Sequence, residues 1–426
     1  MATPASQDGR CSTSIDRAVT SRSVLSLNGG SSSIKFALYE AGKTLERRLG
    51  GQIDRIGQGH ARLRFKHHVG DRSGERDIAA ADYPSAVASL IDWLGSAEGM
   101  GHDTALAELA AVGHRVVHGM SHVEPEVITD GLLDDLRRIQ PCDPDHLPGE
   151  IALIEAFRQR LPALRQVACF DTAFHRSMPR VARLLPIPRK FDAMGVQRYG
   201  FHGISYAFLI EELERVAGTS AAHGRVVLAH LGNGASMAAV HGGLSIDTSM
   251  GFTPCAGLPM GTRSGDLDPG LAAYLARLEH MDMFQFDDMV NHASGLLGMS
   301  GTSADMRDLL DREGGDIRAA EAVALFCYQA KKCVGAYAAA LGGLDTLVFS
   351  GGIGEHAAQV RARACEGLGF LGIEIDAARN VEHAAVISTA SSRVTVRVMR
   401  TDEEWMIARS VCRVLGLDPE AAGESA

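Results

Sequence analysis

Five residues stand in settings where a charge or an imidazole needs a partner. Arg115 lies inside the apolar run His114-Arg-Val-Val-His118, where an unpaired cation is costly. Arg263 sits among small residues in Gly261-Thr-Arg-Ser-Gly-Asp266, a setting in which a guanidinium can clamp a phosphoryl group with two hydrogen bonds. Asp171 ends the apolar stretch Val167–Phe170, and strand C-termini are where catalytic groups gather in α/β proteins. His202 falls within Arg198-Tyr-Gly-Phe-His-Gly203, and Glu403 within Thr401-Asp-Glu-Glu404. Each has a plainer alternative: a structural ion pair for Arg115, a solvated turn for Arg263, an N-cap for Asp171, a satisfied histidine for His202. A carboxylate in the first turn of a helix, as at Glu403, is favoured by the dipole whatever its function.

The elements that would position them begin with Val24–Leu27, read as a strand that enters Asn28-Gly-Gly-Ser-Ser-Ser33 and returns as Ile34–Tyr39. On this hairpin Asn28, Ser31, Ser33 and Lys35 form a polar cluster. A similar unit follows downstream: Val226–Leu231, Gly232-Asn-Gly-Ala-Ser236, then Met237–Val240, with Gly29, Ser33 and Ile34 falling on Gly232, Ser236 and Met237 at an offset of 203. The repetition suggests two related α/β halves with a cleft between them. A third glycine turn, Leu347-Val-Phe-Ser-Gly-Gly-Ile-Gly354, follows a strand, and a helix is expected from Glu355 to Glu366. Small residues let backbone amides approach phosphate oxygens, so three such turns without a Walker loop point to a nucleotide held between domains. His114–Val117 and Gln166–Phe170 read as buried strands, Val394–Val398 as another, and Thr401–Glu404 has the spacing of a capping box.

Composition narrows the class. The 426 residues are 46% hydrophobic and 22% charged, with 42 Lys plus Arg against 52 Asp plus Glu, a net charge of −10. This is globular composition, large enough for two domains, and it argues against nucleic acid or an anionic membrane as a partner. The eight cysteines include no CxxC pair and read as the reduced thiols of a cytoplasmic enzyme. Residues 1–22 lack an apolar core and read as a disordered tail rather than a secretory signal. Gly367-Leu-Gly-Phe-Leu-Gly372 spells a dinucleotide fingerprint but follows an expected helix rather than a strand. His114, His118 and His122 are spaced for one helix face, yet their neighbours favour strand and turn.

Together, the strings NGGSSSIKF, GHRVVHG, FDTAFH, RYGFHG, AHLGNGAS, DTSMGFTP, MGTRSGDLDP, SGLLGMSGTSADMRDL, GGIGEH and TDEEWMIA resemble the acetate kinase family of acetate and propionate kinases, from Ser23 to Leu415. The resemblance implies an α/β fold of two actin-like (ribonuclease H-like) domains flanking a nucleotide cleft. One domain would comprise residues 23–171 plus 403–426, and the other residues 172–402, with the nucleotide site and the homodimer interface. It implies reversible phosphoryl transfer between ATP and a small-molecule carboxylate, giving ADP and an acyl phosphate, with Mg²⁺ or Mn²⁺ as the metal.

By matching motifs, Arg115 and Arg263 would hold carboxylate and phosphoryl, Asp171 would orient Arg263 or a metal-bound water, and His202 would join Arg263 in stabilising the transition state. Asn28 and Glu403 would serve the metal, with Ser31, Ser33 and Lys35 in support of phosphate. Val117, Phe201 and Pro254 would line the acyl pocket beside Arg115. For ATP the matches are Lys35, His230, Asn233, Gly234, Asp305, Met306, Arg307, Gly352, Ile353 and Gly354. One segment departs from the family: Gln140-Pro-Cys-Asp-Pro144 replaces Pro-Leu-His-Asn-Pro, putting Cys142 at the histidine and Pro141 at the leucine, with His146 four residues on. That change bears on acyl preference, so a propionate or butyrate kinase is an alternative to acetate. An actin-like or chaperone-like ATPase acting on a protein partner is the alternative from another class.

Overall fold

The structure is a computed structural model that describes residues 23–30, 33–100, 106 and 109–417. The expectations for residues 1–22 and for Ser31 lie outside the described residues.

Two mixed sheets organise the chain. The first contains β1 (Ser23–Gly29), β2 (Ile34–Ala41), β3 (Leu45–Asp54), β4 (Ala61–His67), β5 (Ser73–Ile78), β6 (Leu109–Val116), β7 (Glu126–Val127) and β8 (Arg165–Phe170), in the order β5-β4-β3-β2-β1-β6-β8-β7. The second contains β9 (Arg225–Leu231), β10 (Ala235–His241), β11 (Leu244–Thr248), β12 (Thr346–Ser350) and β13 (Thr395–Val398), in the order β11-β10-β9-β12-β13. In each sheet the opening strand pairs antiparallel with the next and parallel with a later strand: β1 with β2 and β6, β9 with β10 and β12. The second sheet therefore repeats the inner pattern β3-β2-β1-β6-β8 of the first.

Burial follows from this layering. β1 is buried over all but its first residue because helices cover both faces, which is why its sequence is a continuous run rather than an alternation. Towards the edge, β4 alternates, with Ala61, Leu63 and Phe65 inside and Arg62, Arg64 and Lys66 outside. One face of the first sheet packs on helices Tyr83–Leu94 and Leu147–Arg160, and the other on Met406, Ile407, Val411 and Cys412 of helix Glu403–Leu415. The second sheet meets helix Gly203–Ala217 on one face and helix Ile317–Ala340 on the other. Helices Gly203–Ala217 and Glu403–Leu415 also pack on each other, Phe208 edge-on to Trp405 with ring centroids 5.8 Å apart.

Several local expectations are corrected. The closing pairs are Gly29–Ile34 and Leu231–Ala235, so no single offset aligns both strands. The helix expected from Glu355 begins at Gly351, stops at His356, and a second runs over Ala358–Cys365. The last helix is capped by Asp402, which accepts from the Trp405 N–H, while the hydroxyl of Thr401 accepts from Ser205; no capping box forms there. Gly367–Gly372 follows helix Ala358–Cys365, and His114 lies on β6, so neither pattern has the geometry of its motif.

Candidate active site

The loops closing both opening hairpins, the end of β6, the start of helix Gly203–Ala217 and the start of helix Glu403–Leu415 meet around one cleft of ≈ 420 Å³. Its walls include Asn28, Ser33, Lys35, Arg115, His202, His230, Asn233, Gly234, Gly352 and Glu403. A neighbouring cavity of ≈ 700 Å³ shares Gly232, Asn233 and Gly352 and extends over Asp305, Met306, Arg307 and Ile353. A polar cleft therefore opens into a larger and more apolar one.

Arg115 is the hub. It leaves β6 next to the end of β8, and its Nε and Nη2 donate to Asp171 Oδ2 at 3.1 and 2.6 Å. Its Nη1 donates to Asn28 Oδ1 at 3.2 Å, and Asn28 Nδ2 donates to Glu403 Oε2 at 2.8 Å. Four residues from distant parts of the chain are thus one connected chain of charge-assisted bonds. Burial works against the charge of Arg115, but Asp171 and Glu403 more than offset it and its pKa rises. Burial likewise opposes the Glu403 carboxylate, yet Arg115, His230, Lys35 and the Asn28 amide hold it below its ordinary value. Asp171, almost fully buried, is shifted up by burial against the pull of Arg115.

His202 is held by tertiary contacts. Its φ of 59° is left-handed, a conformation that non-glycine residues adopt at a cost and that clusters at functional sites. The next residue must be glycine, because a Cβ at Gly203 would collide with the Asp171 carbonyl, to which the Gly203 N–H donates at 2.9 Å. His202 Nδ1 bonds the Ser236 hydroxyl at 2.8 Å, and Ser236 bonds the buried Tyr206 hydroxyl. When Tyr206 donates to Ser236, and Ser236 to Nδ1, the proton of the neutral ring lies on Nε2; this tautomer is assigned from the network. An ideal Cβ at Gly234 would lie 3.2 Å from His202 Nε2 and 3.9 Å from Arg263 Nη1, so these donors converge beside the Asn233–Gly234 loop. Burial first, then His230, Arg115 and Arg263, press the His202 pKa well below its ordinary value. The His230 ring stacks on that of His202 with centroids 4.4 Å apart, and its Nδ1 bonds Ser205 at 2.8 Å.

The remaining expected residues fall around this centre. Arg263 is mostly buried, and burial lowers its pKa; its Nη1 donates to the Pro254 carbonyl at 3.3 Å. Val117 and Phe201 are both buried in the same apolar cluster as Met260. Asp305 caps helix Met306–Arg312, and Arg307 folds back on its carboxylate at 2.5 Å, leaving Met306 in the core. Gly352 and Ile353 face the cavities, whereas Gly354 is buried beneath them and its carbonyl accepts from Arg361 at 2.8 Å. Sequence reasoning gave no role to Tyr206 or Ser205 and gave Thr401 only that of a cap; for Ser236, its place in the glycine-rich hairpin was the available signal.

The donor set suits a magnesium ion. Mg²⁺ takes few protein ligands, all oxygen, and completes its shell with water and phosphate. Glu403 is held ionised, and Asp171 Oδ1 is buried without a hydrogen-bond partner. Among the described residues no group of three or more His, Cys, Asp or Glu is placed to hold a metal ion.

The model of the Acetokinase family matches residues 23–409. The acetate kinase of Methylocella silvestris is 43% identical over 408 residues, spanning 93% of this chain and 98% of its own length. The propionate kinase of Citrobacter rodentium is 41% identical over 408 residues, spanning 94% and 99%. Among solved structures, the acetate kinase of Porphyromonas gingivalis superposes with a TM-score of 0.83 at 36% identity, covering 92% of this chain and all of its own. A propionate kinase from Francisella tularensis gives the same TM-score, 0.83, at 35% identity, covering 91% and 98%.

Proposed function

The chain belongs to the acetokinase family, and from that premise we propose that it is an acetate kinase, transferring the γ-phosphoryl of ATP reversibly to acetate to give acetyl phosphate and ADP. The observation that carries this reading is the bonded chain Asp171–Arg115–Asn28–Glu403, set in a cleft walled by the Asn233–Gly234 loop and Gly352. It concentrates charge where a phosphoryl group would pass, and the reaction asks no general base of it. A carboxylate nucleophile needs none, being already ionised near neutral pH. Catalysis then rests on alignment and charge neutralisation.

In this reading Arg115, fixed by Asp171, binds the acetate carboxylate, and Val117, Phe201 and Pro254 surround its methyl group. Arg263 and the Nε2–H of His202 meet the transferred phosphoryl, whose place is beside Gly234. Lys35, His230, Asn233 and Gly234 hold the phosphates of ATP, and the larger cavity over Asp305, Met306, Arg307, Gly352 and Ile353 takes the adenosine. Glu403 and Asn28, with Asp171 behind them, hold Mg²⁺. Held there, Mg²⁺ would supply electrostatic stabilisation of the charge that develops during phosphoryl transfer.

We also propose the domain division 23–171 plus 403–426 against 172–402, supported by the packing of helix Glu403–Leu415 on the first sheet. A homodimer is proposed through the second domain: helix Gly270–Leu278 has no buried residue and, with Met283 and Phe284, presents an apolar surface. No helix among the described residues is long and apolar enough to cross a membrane, and none of the described cysteines forms a disulfide. The thiol state supports a cytoplasmic setting.

The test is ADP release from ATP with acetate, propionate, butyrate or no acid, with and without chelator. Acid-dependent turnover, fastest with acetate and abolished by chelation, is expected. Equal release without acid would replace the kinase reading with that of an ATPase.

A further inference from the structure

Arg263 is a partly buried cation with weak company. Its guanidinium meets the Pro254 carbonyl at 3.3 Å, the Met260 sulfur at 3.8 Å and the imidazole Nε2 of His146 at 3.4 Å. None of these is a carboxylate, in contrast to Arg115 with its two bonds to Asp171. His146 belongs to a different part of the chain, at the N-cap of helix Leu147–Arg160, so its contact with Arg263 joins segments 117 residues apart.

The other face of that imidazole is committed. His146 Nδ1 donates to Asp143 Oδ1 at 2.8 Å. Asp143 is 3% exposed, and its second oxygen is buried without a hydrogen-bond partner. A ring whose Nδ1–H is given to a carboxylate keeps the Nε2 lone pair, and that lone pair is what an arginine N–H can use. A proton on Nε2 would instead oppose the guanidinium. Asp143 also stands first among the charged groups that counter the burial of Arg263. Cys142 is not in this contact: its thiol lies 3.9 Å from the Met120 sulfur, and burial pushes its pKa up.

We propose that Asp143 and His146 are a positioning pair for Arg263. The carboxylate fixes the Nδ1–H tautomer of His146, and Nε2 accepts from Arg263 Nη2. The guanidinium is thereby aimed at the space beside Gly234 and His202 before any anion arrives. Because the contacts of Arg263 are long and their acceptors neutral, an incoming phosphoryl oxygen can replace them at little cost, whereas a carboxylate partner would compete with it. The inference deepens the kinase reading and rests on it for the role of Arg263.

Kinetics of His146→Leu, His146→Gln and Asp143→Asn test it, with thermal melting as the folding control. His146→Leu is expected to lower kcat by up to about 10²-fold, the scale of a reacting group misplaced by an ångström, with KM for ATP unchanged. His146→Gln keeps an acceptor oxygen and is expected to recover most of that loss; Asp143→Asn is expected to fall between the two. Wild-type kcat in His146→Leu, or equal loss in the Leu and Gln variants with unaltered melting, would overturn the proposal. The nitrogen chemical shifts of His146 in the wild-type protein give a reading independent of turnover. They are expected to show a neutral ring protonated at Nδ1; an Nε2–H tautomer would overturn the pairing even in an active enzyme. Absence of acid-dependent turnover in the wild type, with the Nδ1–H tautomer present, would remove the kinase reading and leave the contact standing.

Discussion

At the scale of single residues, Arg115 and Glu403 already have their partners, whereas Arg263 meets no carboxylate. An arginine that stabilises a transferring phosphoryl group is worth about 10³-fold or more in turnover, so Arg263→Ala is expected to lose at least that much. Near-normal turnover in a folded variant would remove the role. His202 carries a second expectation. Its pKa is pressed well below 6.5, so it stays neutral as pH falls through the ordinary histidine range. The Nε2–H donor is therefore present throughout about pH 6–8, and no limb of the kcat profile there should belong to His202. The check is the wild-type profile beside that of His202→Gln. A limb near 6.5 that disappears in the variant would mean that the ring titrates in use.

At the scale of elements, Glu403 is positioned by how its helix lies on the sheet. Helix Glu403–Leu415 packs against β1, β2 and β6. A Cβ at Gly113 on β6 would lie 2.5 Å from Val411 Cγ2 and 2.6 Å from Ile407 Cγ2. Overpacking of this kind costs about 1–3 kcal/mol. Gly113→Ala is expected to lose stability on that scale in urea unfolding. It should also raise the Mg²⁺ concentration needed for half-maximal rate, because Glu403 begins the displaced helix. Lost stability with an unchanged Mg²⁺ requirement would separate helix packing from the metal site.

At the scale of the whole molecule, the candidate cleft draws on both sheets, while the apolar surface around helix Gly270–Leu278 lies apart from the residues that line it. Phe284 is 88% exposed, a large cost in water unless a second surface covers it. Sedimentation is expected to give a dimer, and Phe284→Glu combined with Leu278→Glu is expected to shift it towards monomer without altering the melting of the fold. A wild-type monomer at all accessible concentrations would refute the dimer.

Both hairpins with their glycine-rich loops, the strand carrying Arg115 and the strand leading into Asp171 were legible in the sequence, because each is decided by neighbours a few residues apart. The resemblance strings placed the family for the same reason: they are short, local and in order. Local signals also misled where tertiary contacts compete with them. Thr401 had the spacing of a capping residue, yet Ser205 takes its hydroxyl and Asp402 caps instead. The third glycine turn proved to be the start of a helix, since Gly351 can adopt φ = 75° close against Leu231. Spacing could nominate Asn28 and Glu403 separately, but their bond spans 375 residues. The tautomer of His202 depends on Ser236 and Tyr206, and the aim of Arg263 on His146, each brought near only by packing. The sequence by itself determined which residues could bear charge and which segments would form strands and turns, since those follow from side-chain chemistry and local backbone preference. Only the tertiary structure decided which charges meet, because pairing across hundreds of residues is set by how the sheets and helices stack.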